Sequence, residues 1–188
     1  MNTIVKDIDE SRYGKLIAPN TVRFERHLPG PIERVWAYIT EDDKRQTWLG
    51  TGTVANQVGG IFETSWENSK LGSRPGQPPE KFKKYSGVHT NSHRVTKYEP
   101  PRPLAFTWDE KSGAQSSEVQ YELMPQGDKV LLTVTHMRLP ERKDLVNVSS
   151  GWHTHLDLLS AVLNAQDSGS FWENFARIDG VYEERHPK

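Results

Sequence analysis

The sequence has no cysteine. That absence excludes disulfides, thiol nucleophiles, iron–sulfur clusters and cysteine-ligated zinc. It also lacks any run approaching the ~20 apolar residues needed to span a bilayer. The opening MNTIVKDIDESRYGKL carries acids early and has no apolar stretch, so a cytoplasmic location is expected rather than a signal peptide. The sequon Asn147-Val148-Ser149 is discounted on the same ground. An excess of one charge is missing too. Lys and Arg number 24 against 25 Asp and Glu, for a net charge of -1, which leaves no global basic field for nucleic acid. Hydrophobic residues are sparse at 34%, yet aromatics reach 10%, with six each of Trp, Tyr and Phe. A disordered chain would be poor in these rings. At 188 residues, a folded chain hides roughly 70% of its unfolded surface, enough for one domain with an aromatic interior.

Residues 1–19 read as a polar lead-in. Thr21–Leu28 alternates, with Val22, Phe24 and Arg26 on one side, as a half-buried strand does. Pro29-Gly30-Pro31 breaks it, and Pro31 suits a helix start. Ile32, Val35, Trp36 and Ile39 then follow helical spacing. Thr40 and the acids after it open a second short helix that ends near Trp48. Six strands are predicted next: Thr51–Gln57, Gly60–Trp66, Gly87–Tyr98, Leu104–Asp109, Ser117–Met124 and Lys129–Arg138. Between the second and third of these lies 67–86, rich in Pro, Gly and Lys, which reads as a long mobile loop. Residues 152–166 read as a long helix, with Ser149 or Ser150 as its cap. After Ser168-Gly169-Ser170, the stripe Phe171, Phe175, Ile178 marks a tail helix over 168–188. The stripe must dock, either on its own domain beside the first short helices or on a second copy in a homodimer.

Strands without intervening helices imply an antiparallel sheet and an α+β fold. Seven strands curled around one long helix, over residues 20–167, leave a cavity between the two layers, and a ligand belongs there.

Several stretches resemble a known family. PIERVWAYITEDDKRQTWLG (31–50) is similar to the helix–helix entry of the START-like, SRPBCC superfamily. ELMPQGDKVLLTVTHMRLP (122–140) and GWHTHLDLLSAVL (151–163) resemble its last two strands and long helix. LAFTWDE (104–110) and FWENFARIDGVYEER (171–185) resemble the branch called activator of heat-shock protein 90 ATPase homologue-like. The resemblance spans about residues 20–185. It implies a helix-grip fold of the birch-pollen-allergen type, with two short helices after the first strand and a hydrophobic tunnel under the long helix. Members bind lipids, sterols and polyketides, and some are cyclases or aromatases. The family's namesake stimulates a chaperone ATPase, leaning partly on an N-terminal Asn/Trp/His-rich motif that this chain does not contain.

The predicted cavity lining is Trp36, Trp66, Phe106, Trp108, Tyr121, Leu123, Val134, His136, Trp152 and Leu156. Tryptophans offer flat apolar area plus an indole donor, or simply fill a core. An inward His136 is either a ligand anchor or a core histidine bonded internally. No catalytic residue is assigned. His89 and His93 on one strand sit roughly 13 Å apart, and His153 and His155 on a helix point some 200° apart, so no metal site follows. There is no phosphate loop, and no cofactor is expected. Three functions remain open: a small hydrophobic-ligand carrier tied to stress response, a cyclase or hydratase in which His136 and Tyr121 polarise a carbonyl, and a chaperone ATPase co-regulator acting by protein contact.

Overall fold

The computed structural model describes residues 9–186. Two short helices, α1 (Ile32–Thr40) and α2 (Asp42–Arg45), follow the second strand. The strands are β1 (Lys15–Ala18), β2 (Thr21–Pro29), β3 (Ile61–Trp66), β4 (His89–Tyr98), β5 (Leu104–Thr107), β6 (Glu118–Gln126) and β7 (Lys129–Met137). Two helices close the chain, α3 (Arg142–Leu163) and α4 (Phe171–Arg185). The strands form one antiparallel sheet in the order β1-β2-β7-β6-β5-β4-β3.

Register carries the alternation across the sheet. Phe24 pairs with Val134, Val134 with Tyr121, and Tyr121 with Leu104. Val22 pairs with His136, His136 with Val119, and Val119 with Phe106. Paired residues share a face, and all of these are buried under α3. Arg26 continues the inner face of β2. It is buried, donates to the Arg12 carbonyl at 2.8 Å and reaches Asp157 of α3 at 2.9 Å, so the inward charge ties strand to helix. No helix among the described residues is long and apolar enough to cross a membrane.

Five local expectations are corrected. Thr51–Gln57 is not a strand; only Thr51 bridges Ser65. Gly52 sits at φ +122°, donates to Asp42 Oδ1 at 2.5 Å and accepts from Arg45 at 3.0 Å. Side chains of α2 thus take the hydrogen bonds a neighbouring strand would need. The seventh strand is instead β1, from within the segment read as lead-in. The loop 67–86 is packed rather than loose: Phe82 is buried and meets Phe175 at 4.8 Å. The long helix begins at Arg142, not at Trp152. Ser149 and Ser150 are therefore buried interior residues, and Ser150 Oγ donates to the Val146 carbonyl at 2.8 Å. Burial of Leu145, Val146 and Trp152 on either side carries the helix through Gly151 despite a glycine cost of about 1 kcal/mol. Finally, α4 docks on α3 and the 67–86 loop rather than beside α1 and α2.

Candidate functional site

One open pocket of about 270 Å³ lies where the end of β3, the middle of α3 and the start of α4 meet. β3 ends in Trp66, and Asn68 follows two residues later. The 67–86 loop and β4 add Tyr85, His89 and Asn91. Trp108 comes directly after β5; α3 supplies Asn147, Val148, Gly151, Trp152 and His155; α4 supplies Trp172 and Phe175. Six aromatic rings, three amides and two imidazoles therefore surround the space, and no Lys, Arg, Asp or Glu is among its walls.

The rings are held by one another. Trp108 stands 5.5 Å from Trp66 and 5.6 Å from Trp152 by ring centroid. Trp172 and Phe175 meet at 5.6 Å, and Trp172 donates its indole N–H to Ser69 Oγ at 3.1 Å. Behind the wall, Trp152 Nε1 donates to His136 Nδ1 at 3.0 Å. An indole N–H can only donate, so the His136 proton sits on Nε2, which donates to Ser117 Oγ at 2.8 Å. Burial pushes His136 down to about 3, and the nearby Arg138 charge adds to it. Ser117, His136 and Trp152 thus form a neutral chain that aims the Trp152 ring. His155 donates from Nδ1 to the Trp48 carbonyl at 2.8 Å and rests on Phe171 at 4.8 Å. Burial brings it down to about 4. His93 lies beneath the floor, boxed by Phe62, Trp66, Phe106 and Trp108, and donates to the Thr107 carbonyl at 3.1 Å.

Of the ten residues predicted to line a cavity, the structure brings three to this pocket: Trp66, Trp108 and Trp152. Phe106, Tyr121, Leu123, Val134, His136 and Leu156 are fully packed between sheet and helix, at 0–2% exposure. Trp36 is half-buried on Tyr98, 5.7 Å away, apart from the pocket. Both ring nitrogens of His136 are engaged inside the protein, and neither it nor Tyr121 is a pocket wall. Sequence reasoning missed Tyr85, His89 and the α4 rings as site residues. The available signal was aromatics, Phe82 and Tyr85, inside an otherwise polar loop, together with Trp172 and Phe175 after a break. Among the described residues, no group of three or more His, Cys, Asp or Glu side chains converges as a metal site would.

A seven-stranded antiparallel sheet gripping a long helix places this chain in the helix-grip class. The family model described as "Activator of Hsp90 ATPase homolog 1-like protein" matches residues 29–164, and the chain belongs to that family. A comparison with curated proteins found no match. Among solved structures, the chain is similar to the protein encoded by gene BPP1335 from Bordetella parapertussis, at 38% identity and a TM-score of 0.77, covering 94% of this chain and 91% of that one. It is also similar to CalU16 from Micromonospora echinospora, at 22% identity and a TM-score of 0.61, covering 93% and 92%. A third likeness is to DynU16, a protein in the dynemicin biosynthetic locus, at 16% identity and a TM-score of 0.60, covering 81% of this chain and 51% of that one.

Proposed function

We propose that this protein binds a small, largely apolar molecule in the aromatic pocket between β3, α3 and α4. The observation that supports the reading is the wall itself. Six aromatic side chains from five separate segments face one open space of about 270 Å³, with no charged side chain among them. Core logic alone would close such a set of rings on itself, because apolar area left in water costs about 25 cal/mol per Å². A concave, mostly aromatic cleft with a few polar groups among its walls is the usual form of a ligand site. The seat is this cleft beside the middle of α3, not a tunnel along the helix, since the inner face under α3 is filled by Phe106, Tyr121, Leu123 and Val134.

Tryptophan emission reads the site directly, because four of the six tryptophans form its wall. Titration with aromatic, sterol and fatty-acid probes is expected to give saturable quenching with the flat aromatic ones. Trp108→Leu is expected to weaken that binding about tenfold, on the order of 1.4 kcal/mol, the size of one lost ring contact. Unchanged emission with every probe class would remove the binding reading.

A further inference from the structure

The pocket has an oriented polar group at its inner end. His155 is buried at 7% exposure, lines the pocket and makes its one hydrogen bond through Nδ1 to the Trp48 carbonyl. A carbonyl only accepts, so Nδ1 carries the proton and Nε2 carries a lone pair. Among the described residues Nε2 has no hydrogen-bond partner, and it is not among the buried polar atoms sealed away without one. The exposed remainder of this imidazole therefore faces the pocket it lines. The wall offers no cation to attract an anion.

We propose that His155 is a specificity-determining residue, and that the ligand is a neutral, planar aromatic molecule carrying a hydroxyl or N–H that donates to His155 Nε2. This rests on the pocket reading above and narrows it. Packing against Trp66, Trp108 and Trp152 accepts any flat ring, but an acceptor fixed in a low-dielectric wall discriminates by donor. A ligand without a donor leaves the imidazole lone pair dry and unpaired, which costs affinity. A carboxylate brings its own acceptors and a charge against an acceptor, with no counter-ion to receive it. Burial holds the imidazole neutral, so Nε2 remains an acceptor through neutral pH. The hydrogen bond to Trp48 keeps the ring from flipping to present the other nitrogen.

The test compares 2-naphthol with 2-methoxynaphthalene on the full chain by isothermal titration calorimetry. The two probes share a ring system and differ in the donor. The wild type is expected to bind 2-naphthol about tenfold more tightly, the worth of one hydrogen bond in a buried site. His155→Phe keeps a flat ring and removes the acceptor, and is expected to bring the two affinities together. A second measurement needs no variant: in wild-type protein with 15N-labelled histidine, the His155 Nε2 resonance is expected to move upfield with 2-naphthol and stay in place with 2-methoxynaphthalene. Equal affinities in the wild type, a preference that survives His155→Phe, or an unmoved Nε2 resonance with 2-naphthol bound would overturn the role of His155 while leaving the pocket intact. Failure of both probes to bind the wild type would overturn the pocket reading and this inference with it.

Discussion

Three buried imidazoles decide how single residues respond to acid. Burial first of all brings His93 and His155 down to about 4 and His136 to about 3, against an ordinary value near 6.5. Each is neutral in the fold and is protonated more readily once unfolded. Stability is therefore full above pH 6.5 and falls as pH drops below that value, with the loss complete beneath the folded values. Asp157 adds to it lower down. Burial raises that carboxyl, but the His153 hydrogen bond and the charges of Arg26 and Arg12 win and hold it at about 2. Chemical denaturation at a series of pH values between 7 and 4.5 is expected to show each of the three histidines costing on the order of 1 kcal/mol per pH unit once the unfolded form is protonated. A stability flat across that range would mean that the imidazoles are wet in the fold.

At the scale of elements, α4 and the 67–86 loop act as one wall. Phe82 of the loop meets Trp172 and Phe175 of α4. Ser73 bonds Asp167 and takes the Gly169 N–H at 2.9 Å, and Lys81 reaches Asp179 at 2.6 Å. Further along α4, the Tyr182 hydroxyl accepts the Gly14 N–H at 2.7 Å and donates to His153 Nδ1 at 3.1 Å, joining the N-terminal edge of the sheet to α3. Removing 168–188 strips out Phe171, Trp172, Phe175, Ile178 and Tyr182, all buried. Each is worth roughly 1.5–3 kcal/mol in burial, and about 1 kcal/mol moves the melting temperature of a chain this size by about 2–4 °C. The truncated protein is expected to melt at least about 10 °C lower with an unchanged oligomeric state by analytical ultracentrifugation. A change from dimer to monomer would show that the stripe serves a second copy instead.

Across the whole molecule, protection should follow the sheet order. β2, β7 and β6 are paired on both sides and lie beneath α3. β1 is an edge strand with all four residues exposed, and β3 forms the opposite edge beside the pocket. Native-state hydrogen exchange is expected to be slowest in β2, β6 and β7 and fastest in β1, because edge amides open without breaking the core. Uniform protection across all seven strands would contradict that gradient. The pocket therefore sits at the less constrained end of the sheet, away from its doubly paired centre.

The amino-acid pattern by itself determined the α+β class and the inner face of the sheet. Alternation in Leu104–Trp108, Val119–Leu123 and Leu132–His136 reports burial one residue at a time, and no distant contact is needed to read it. The short helix after Pro31 was legible for the same local reason. Tertiary structure decided the rest. Thr51–Gln57 has strand composition, but Asp42 and Arg45 take the backbone hydrogen bonds of Gly52 within it. Gly151 and its serines look like a break, yet burial on two sides carries α3 through them. The pocket was decided by packing as well. Trp66, Trp108 and Trp152 were visible as rings, but whether a ring fills a core or borders a space depends on what arrives opposite it. What arrives is a loop and a tail helix whose sequence separation from Trp108 no periodicity can bridge.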